Sequence, residues 1–128
     1  MSARGGLSAW LVVGALLIPG AAEPHAFLVK SAPARRAVLT YPPARVDLWF
    51  NERLEPAYST LSVWSEAGVQ VDTRDATVGP NDPTRLGVPL ASLGPGRYTV
   101  RFRVLSVDGH VVESSFTFSV RAPGGETR

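Results

Sequence analysis

Three observations predict that this chain folds as an all-β, antiparallel sandwich. Several short segments alternate apolar and polar residues, turn-forming residues separate them, and no segment after residue 24 has the periodicity of a helix. In RVDLWFN, Val46, Leu48 and Phe50 alternate with Asp47, Trp49 and Asn51. In RYTVRFRVLS, Tyr98, Val100, Phe102 and Val104 make one face, with Thr99, Arg101 and Arg103 opposite. In ESSFTFSV, Phe116, Phe118 and Val120 alternate with Thr117 and Ser119. Each pattern has the period of a half-buried strand. AFLVKS, STLSVWS, GVQVDT and TRLGVPL are weaker strand candidates. Turn signals lie at Pro42-Pro43, Ala67-Gly68, the VGPNDP run and GPG at 94–96.

About seven short strands at this spacing suit two packed sheets. Tyr98 enters its strand directly after LGPGR, which is the placement of the tyrosine corner in immunoglobulin-like sandwiches. Trp49 and Trp64 lie on strand-like segments and are expected to be packing residues. The pairs Arg35-Arg36 and Arg101/Arg103 read as solvated faces.

The front of the chain has a different character. Arg4 precedes an uncharged apolar run over 7–18, followed by Pro19, Gly20, Ala21 and Ala22. A helix crossing a bilayer needs about 20 apolar residues. A shorter run with a basic head and a small-residue end is the pattern of a secretory signal. The expected organisation is therefore a signal over 1–24, one domain over 25–121 and a frayed tail over 122–128. The cleavage point stays open, because Pro24 before His25 does not fit the small-residue rule. Cutting after Ala22 would leave Glu23-Pro24-His25 in front, and only a further trimming step would expose the His25 amine.

Composition narrows the chemistry. A formal charge of +2 is too balanced to argue for nucleic acid or an anionic membrane surface. There is no cysteine, and the one methionine, Met1, belongs to the leader. A metal held by the domain must then be bound by nitrogen and oxygen, which points to Cu(II) or Zn(II) rather than Cu(I). Ser114-Ser115 has no spare histidine to form a nucleophile dyad.

The chain has two histidines, His25 and His110. The second lies in LSVDGHVV, between two strongly patterned strands. One reading is a hairpin corner with a solvated histidine, since Asp-Gly is a turn dipeptide. The other places Asp108 and His110, two residues apart on an extended chain, on one side, where carboxylate and imidazole share a cation.

Three blocks in order, HAFLVKSAPA, LWFNE and PGRYTVRFRVLSVDGH followed by SSFTFSV, resemble a CopC-type copper resistance domain over nearly all of 25–120. The resemblance implies an immunoglobulin-like, Greek-key sandwich with a Cu(II) site at one end. Its ligands would be the N-terminal amine and imidazole of His25, with Asp108 and His110. Glu52 matches an acidic position that in some members lies close to the metal. The methionine-rich segment that gives some members a Cu(I) site is absent, so one site is expected. Val111 and Glu113 stand where the family commonly has proline and glycine.

The implied function is an exported protein of the bacterial periplasm or cell envelope that carries or buffers copper without turnover. A monomer that does not insert in the membrane is expected, with an inner-membrane copper permease as the candidate partner. Two alternatives remain: a mononuclear copper oxidative enzyme on a similar sandwich, and a metal-free adhesion or assembly module.

Overall fold

The computed structural model describes residues 26–123. Eight strands follow one another: β1 (Leu28–Ala32), β2 (Val38–Leu39), β3 (Arg45–Phe50), β4 (Thr60–Ser65), β5 (Thr77–Val78), β6 (Arg85–Pro89), β7 (Gly96–Leu105) and β8 (Val111–Val120). One sheet has the order β1-β3-β6-β5 and the other β2-β8-β7-β4. The sandwich anticipated from alternation is present. The leader and His25 lie outside the described residues, as does the tail beyond 123.

The three strongly patterned segments form β3, β7 and β8, and AFLVKS, STLSVWS and TRLGVPL contribute β1, β4 and β6. GVQVDT does not form a strand. It makes only isolated bridges, Gln70 to Trp64 and Asp72 to Leu90. The reason is Asp72, whose carboxylate accepts the Val63 N–H at 2.8 Å and the Arg74 N–H at 2.8 Å. A side chain thus takes donors that a continuous ladder would otherwise pair. β2 and β5, two residues each, are too short to show a period in sequence. β2 also pairs with β8 in parallel, the one exception to antiparallel pairing among the described strands.

The core is the apolar half of each alternation. Val46, Leu48, Phe50, Leu86 and Val88 from one sheet meet Leu61, Val63, Val100, Phe102, Val104 and Phe118 from the other. Phe50 and Phe102 join the sheets edge to face, with ring centres 5.5 Å apart. Tyr98 stacks on Phe118 and its hydroxyl donates to the Gly94 carbonyl at 2.6 Å, which closes the tyrosine corner. The two tryptophans are half-buried on the outer faces of different sheets. Lys30 lies over Trp49 and Arg101 over Trp64, and Trp64 Nε1 donates to Ser62 Oγ at 2.8 Å. They pack, each beneath a cation.

Asp47 departs from the simple alternation. It belongs to the outward set of β3 yet is buried, because Arg45 covers it with Nε at 2.9 Å and Nη2 at 3.0 Å. Those hydrogen bonds hold the Arg45 pKa above its ordinary value. Gly87, opposite Asp47 in the register, leaves the space for this pair; a Cβ there would run into the Asp47 carboxylate. Gly87→Ala is therefore expected to lower stability by about 1–3 kcal/mol. Urea unfolding measures this; an unchanged midpoint would show that the pair simply swings aside.

Candidate metal centre

The site is assembled at one end of the sandwich by backbone bonds between two segments far apart in sequence. β3 ends at Phe50 and the chain turns at Asn51 and Glu52. Asn51 grips the front of the domain: its Oδ1 accepts the Phe27 N–H at 2.7 Å, and its own N–H donates to the Phe27 carbonyl at 3.2 Å. Ala26, one residue earlier, is buried. The chain then crosses to the other sheet. Val107 N–H donates to the Arg53 carbonyl at 2.9 Å, Leu54 bridges Ser106, and Glu55 N–H donates to the Leu105 carbonyl at 2.8 Å. These bonds hold Glu52 beside the β7–β8 turn.

The turn has its own lock. Gly109 N–H donates to the Ser106 carbonyl and Ser106 N–H to the His110 carbonyl, both at 2.9 Å. Ser106 Oγ, almost fully buried, accepts the His110 N–H at 3.2 Å. Gly109 has φ +92, the left-handed conformation that ends a three-residue hairpin loop. So the Asp-Gly turn reading and the shared-cation reading are compatible. The segment is not extended, as the second reading supposed; closure of the turn brings Asp108 and His110 together.

One donor atom from each of Glu52, Asp108 and His110 lies within 4.8 Å of the others. Asp108 is exposed, whereas Glu52 and His110 are partly buried. Glu52 Oε1 is buried and accepts no hydrogen bond among the described residues. A buried carboxylate oxygen without a donor is costly, and a bound cation relieves that cost. Two carboxylates and an imidazole offer oxygen and nitrogen donors, a set that suits a borderline divalent ion. Three of the four residues singled out from sequence thus share one end of the fold; His25, the fourth, lies outside the described residues.

Sequence reasoning missed the residues that position these donors. Ser106 and Asn51 are not among the clustered donors, yet one fixes the turn and the other ties down the front of the domain. A hydroxyl two residues before Asp-Gly was a usable turn signal. Nothing local marked Asn51.

A β-sandwich that gathers two carboxylates and an imidazole beside its β7–β8 hairpin offers the donor set of a metal-binding protein. Residues 28–121 match the family model of the CopC domain. Protein YobA of Escherichia coli (strain K12) is 39% identical over 98 residues, 76% of this chain and 79% of that one. Copper resistance protein C of Pseudomonas syringae pv. tomato is 31% identical over 117 residues, 87% of this chain and 92% of its own. The crystal structure of CopC from Methylosinus trichosporium OB3b superposes with a TM-score of 0.71 at 36% identity, covering 81% of this chain and 99% of that one. The chain belongs to the CopC family.

Gly109→Ala places a side chain at a positive φ with no steric obstacle around it, so strain alone is tested. The expected result is a loss of about 1 kcal/mol in stability together with weaker copper affinity, because the turn must relax. Thermal melting and a competitive copper titration measure the two effects; unchanged affinity despite lower stability would show that turn geometry does not set the donors.

Proposed function

We propose that this protein binds one Cu(II) ion through Glu52, Asp108, His110 and His25, and carries or buffers it outside the cytoplasm. Copper binding in copper resistance or homeostasis is the function of the family to which the chain belongs. The observation that carries the specific site is the convergence of Glu52, Asp108 and His110 within 4.8 Å. The anchoring of Phe27 at Asn51 supports the fourth ligand. It holds the front of the described residues next to Glu52.

An amine and imidazole on His25 would form a chelate ring, a second imidazole would make three nitrogens, and a carboxylate would add oxygen. That donor set favours the tetragonal geometry of Cu(II). Without cysteine, and with Met1 as the lone methionine, the domain offers no soft sulfur for Cu(I). Asp108 beside His110 would occupy a position that oxygen chemistry needs open, which favours a carrier over an oxidative enzyme. The apolar leader over 7–18 supports export to a periplasm or cell-envelope space, where a copper permease of the inner membrane is the proposed partner. No helix among the described residues is long and apolar enough to cross a membrane.

His110→Ala is expected to lower Cu(II) affinity by orders of magnitude and leave the fold intact, measured by competitive titration alongside circular dichroism. Unchanged affinity would remove His110 from the site. Imidazole and amine bind copper only when deprotonated, so affinity should also fall as pH drops. Electron paramagnetic resonance of natively processed, Cu(II)-loaded protein counts the nitrogens: three support the His25 chelate, and one excludes His25 altogether. Intact mass of the same material decides whether Glu23-Pro24 has been trimmed.

A further inference from the structure

The net charge of +2 conceals an uneven distribution. Along β7 the outward positions between buried Tyr98, Val100, Phe102 and Val104 hold Arg97, Thr99, Arg101 and Arg103, and the three arginines are exposed. Register sets Ser62 and Ser115 on either side of Arg101, and Thr60 and Glu113 on either side of Arg103. Beyond the β8 edge, the loop before β2 adds Arg36, whose N–H donates to the Thr117 carbonyl at 2.6 Å; its neighbour Arg35 turns the other way, with its guanidinium 5.9 Å from the ring centre of core-facing Phe116.

Glu113 is the one acid on the outward positions of β4, β7 and β8, and it sits 3.8 Å from Arg103. The acids that balance the arginines lie elsewhere. Glu66 follows β4 in the turn at the Arg97 end of the sheet, Glu52, Glu55 and Asp108 are at the metal end, Asp47 is on the other sheet, and Asp72, Asp75 and Asp82 are in the loops around β5.

We infer that the outer face of the β4–β7–β8 sheet docks on an anionic lipid bilayer, laying the sandwich on its side with the metal end open at the rim. The spread of charge argues for a surface rather than a small ligand. From Arg97 to Arg103 the strand covers roughly 20 Å, and Arg36 lies roughly 10 Å to the side of β7. These side chains stand on successive outward positions and do not converge on an enclosed cavity. The chemistry argues against a protein partner, whose interface would have an apolar centre. Here the outward positions of β7 are arginine and threonine and those of mid-β8 are serine and threonine; exposed Val38 and Val111 stand apart on β2 and at the start of β8, and exposed Phe27, Tyr58 and Val107 lie at the metal end. Trp64 is already covered by Arg101, and its N–H is used by Ser62, so the contact is adsorption by charge without insertion. Whole-chain charge hides this face because both signs are present and merely segregated.

The test is co-sedimentation of the processed protein with vesicles of phosphatidylglycerol mixed into phosphatidylcholine, against phosphatidylcholine alone. Binding to the first at low ionic strength, weakening as salt approaches about 0.15 M, is expected. Arg97→Gln combined with Arg103→Gln should reduce partitioning by about tenfold or more, with copper affinity unchanged. Lys30→Gln, on the opposite face, should leave partitioning as it was. The inference is overturned by equal binding to both vesicles, by binding that survives the double substitution, or by an equal loss in Lys30→Gln. Retention on inorganic polyphosphate without vesicle binding would reassign the face to a soluble polyanion and overturn it as well.

Discussion

The backbone crossing over residues 53–55 is the constraint on which the functional end depends. It leaves β3 in one sheet and, through the carbonyl of Arg53 and the N–H of Glu55, bonds to residues 105 and 107 at the end of β7 in the other. Leu54, buried between the sheets, anchors the crossing in the core. Glu52 is therefore not a loop residue that happens to face the hairpin. Its position follows from peptide hydrogen bonds on both sides of a buried leucine, which is a stiffer support than side-chain contact alone.

The proposed metal site needs no strong sulfur ligands. Its donors come from a tight turn, a strand exit and, as proposed, the first residue of the processed protein, so none needs a cavity cut into the core. The core stays a continuous apolar layer from Tyr98 to Val104. Ordering a chain terminus costs conformational entropy. The paired hydrogen bonds between Phe27 and Asn51 hold the front of the described residues in place without any ion. Away from that end, the outer face of the β4–β7–β8 sheet carries three exposed arginines along β7.

Much of the fold was legible because alternation is a local signal. β3, β7 and β8 show it over enough residues to identify both the strand and the face it buries, and Tyr98 after GPG announced the corner that Gly94 completes. GVQVDT misled because alternation cannot reveal that Asp72 will supply its own hydrogen bonds to Val63 and Arg74. Asp47 misled in the other direction. A polar residue on an outward position was expected to be solvated, but Arg45 on its own strand and the missing side chain at Gly87 bury it.

What the sequence by itself determined was the architecture and the absence of sulfur donors in the domain, since both rest on residue type and short-range period, whereas the candidate donors were named through the resemblance to the CopC family. Only the tertiary structure decided that Glu52 stands with Asp108 and His110, that the turn rather than an extended strand joins the last two, and that arginines collect on one sheet face. These depend on register between segments distant along the chain, and register is set by backbone hydrogen bonds and core packing that no local pattern carries.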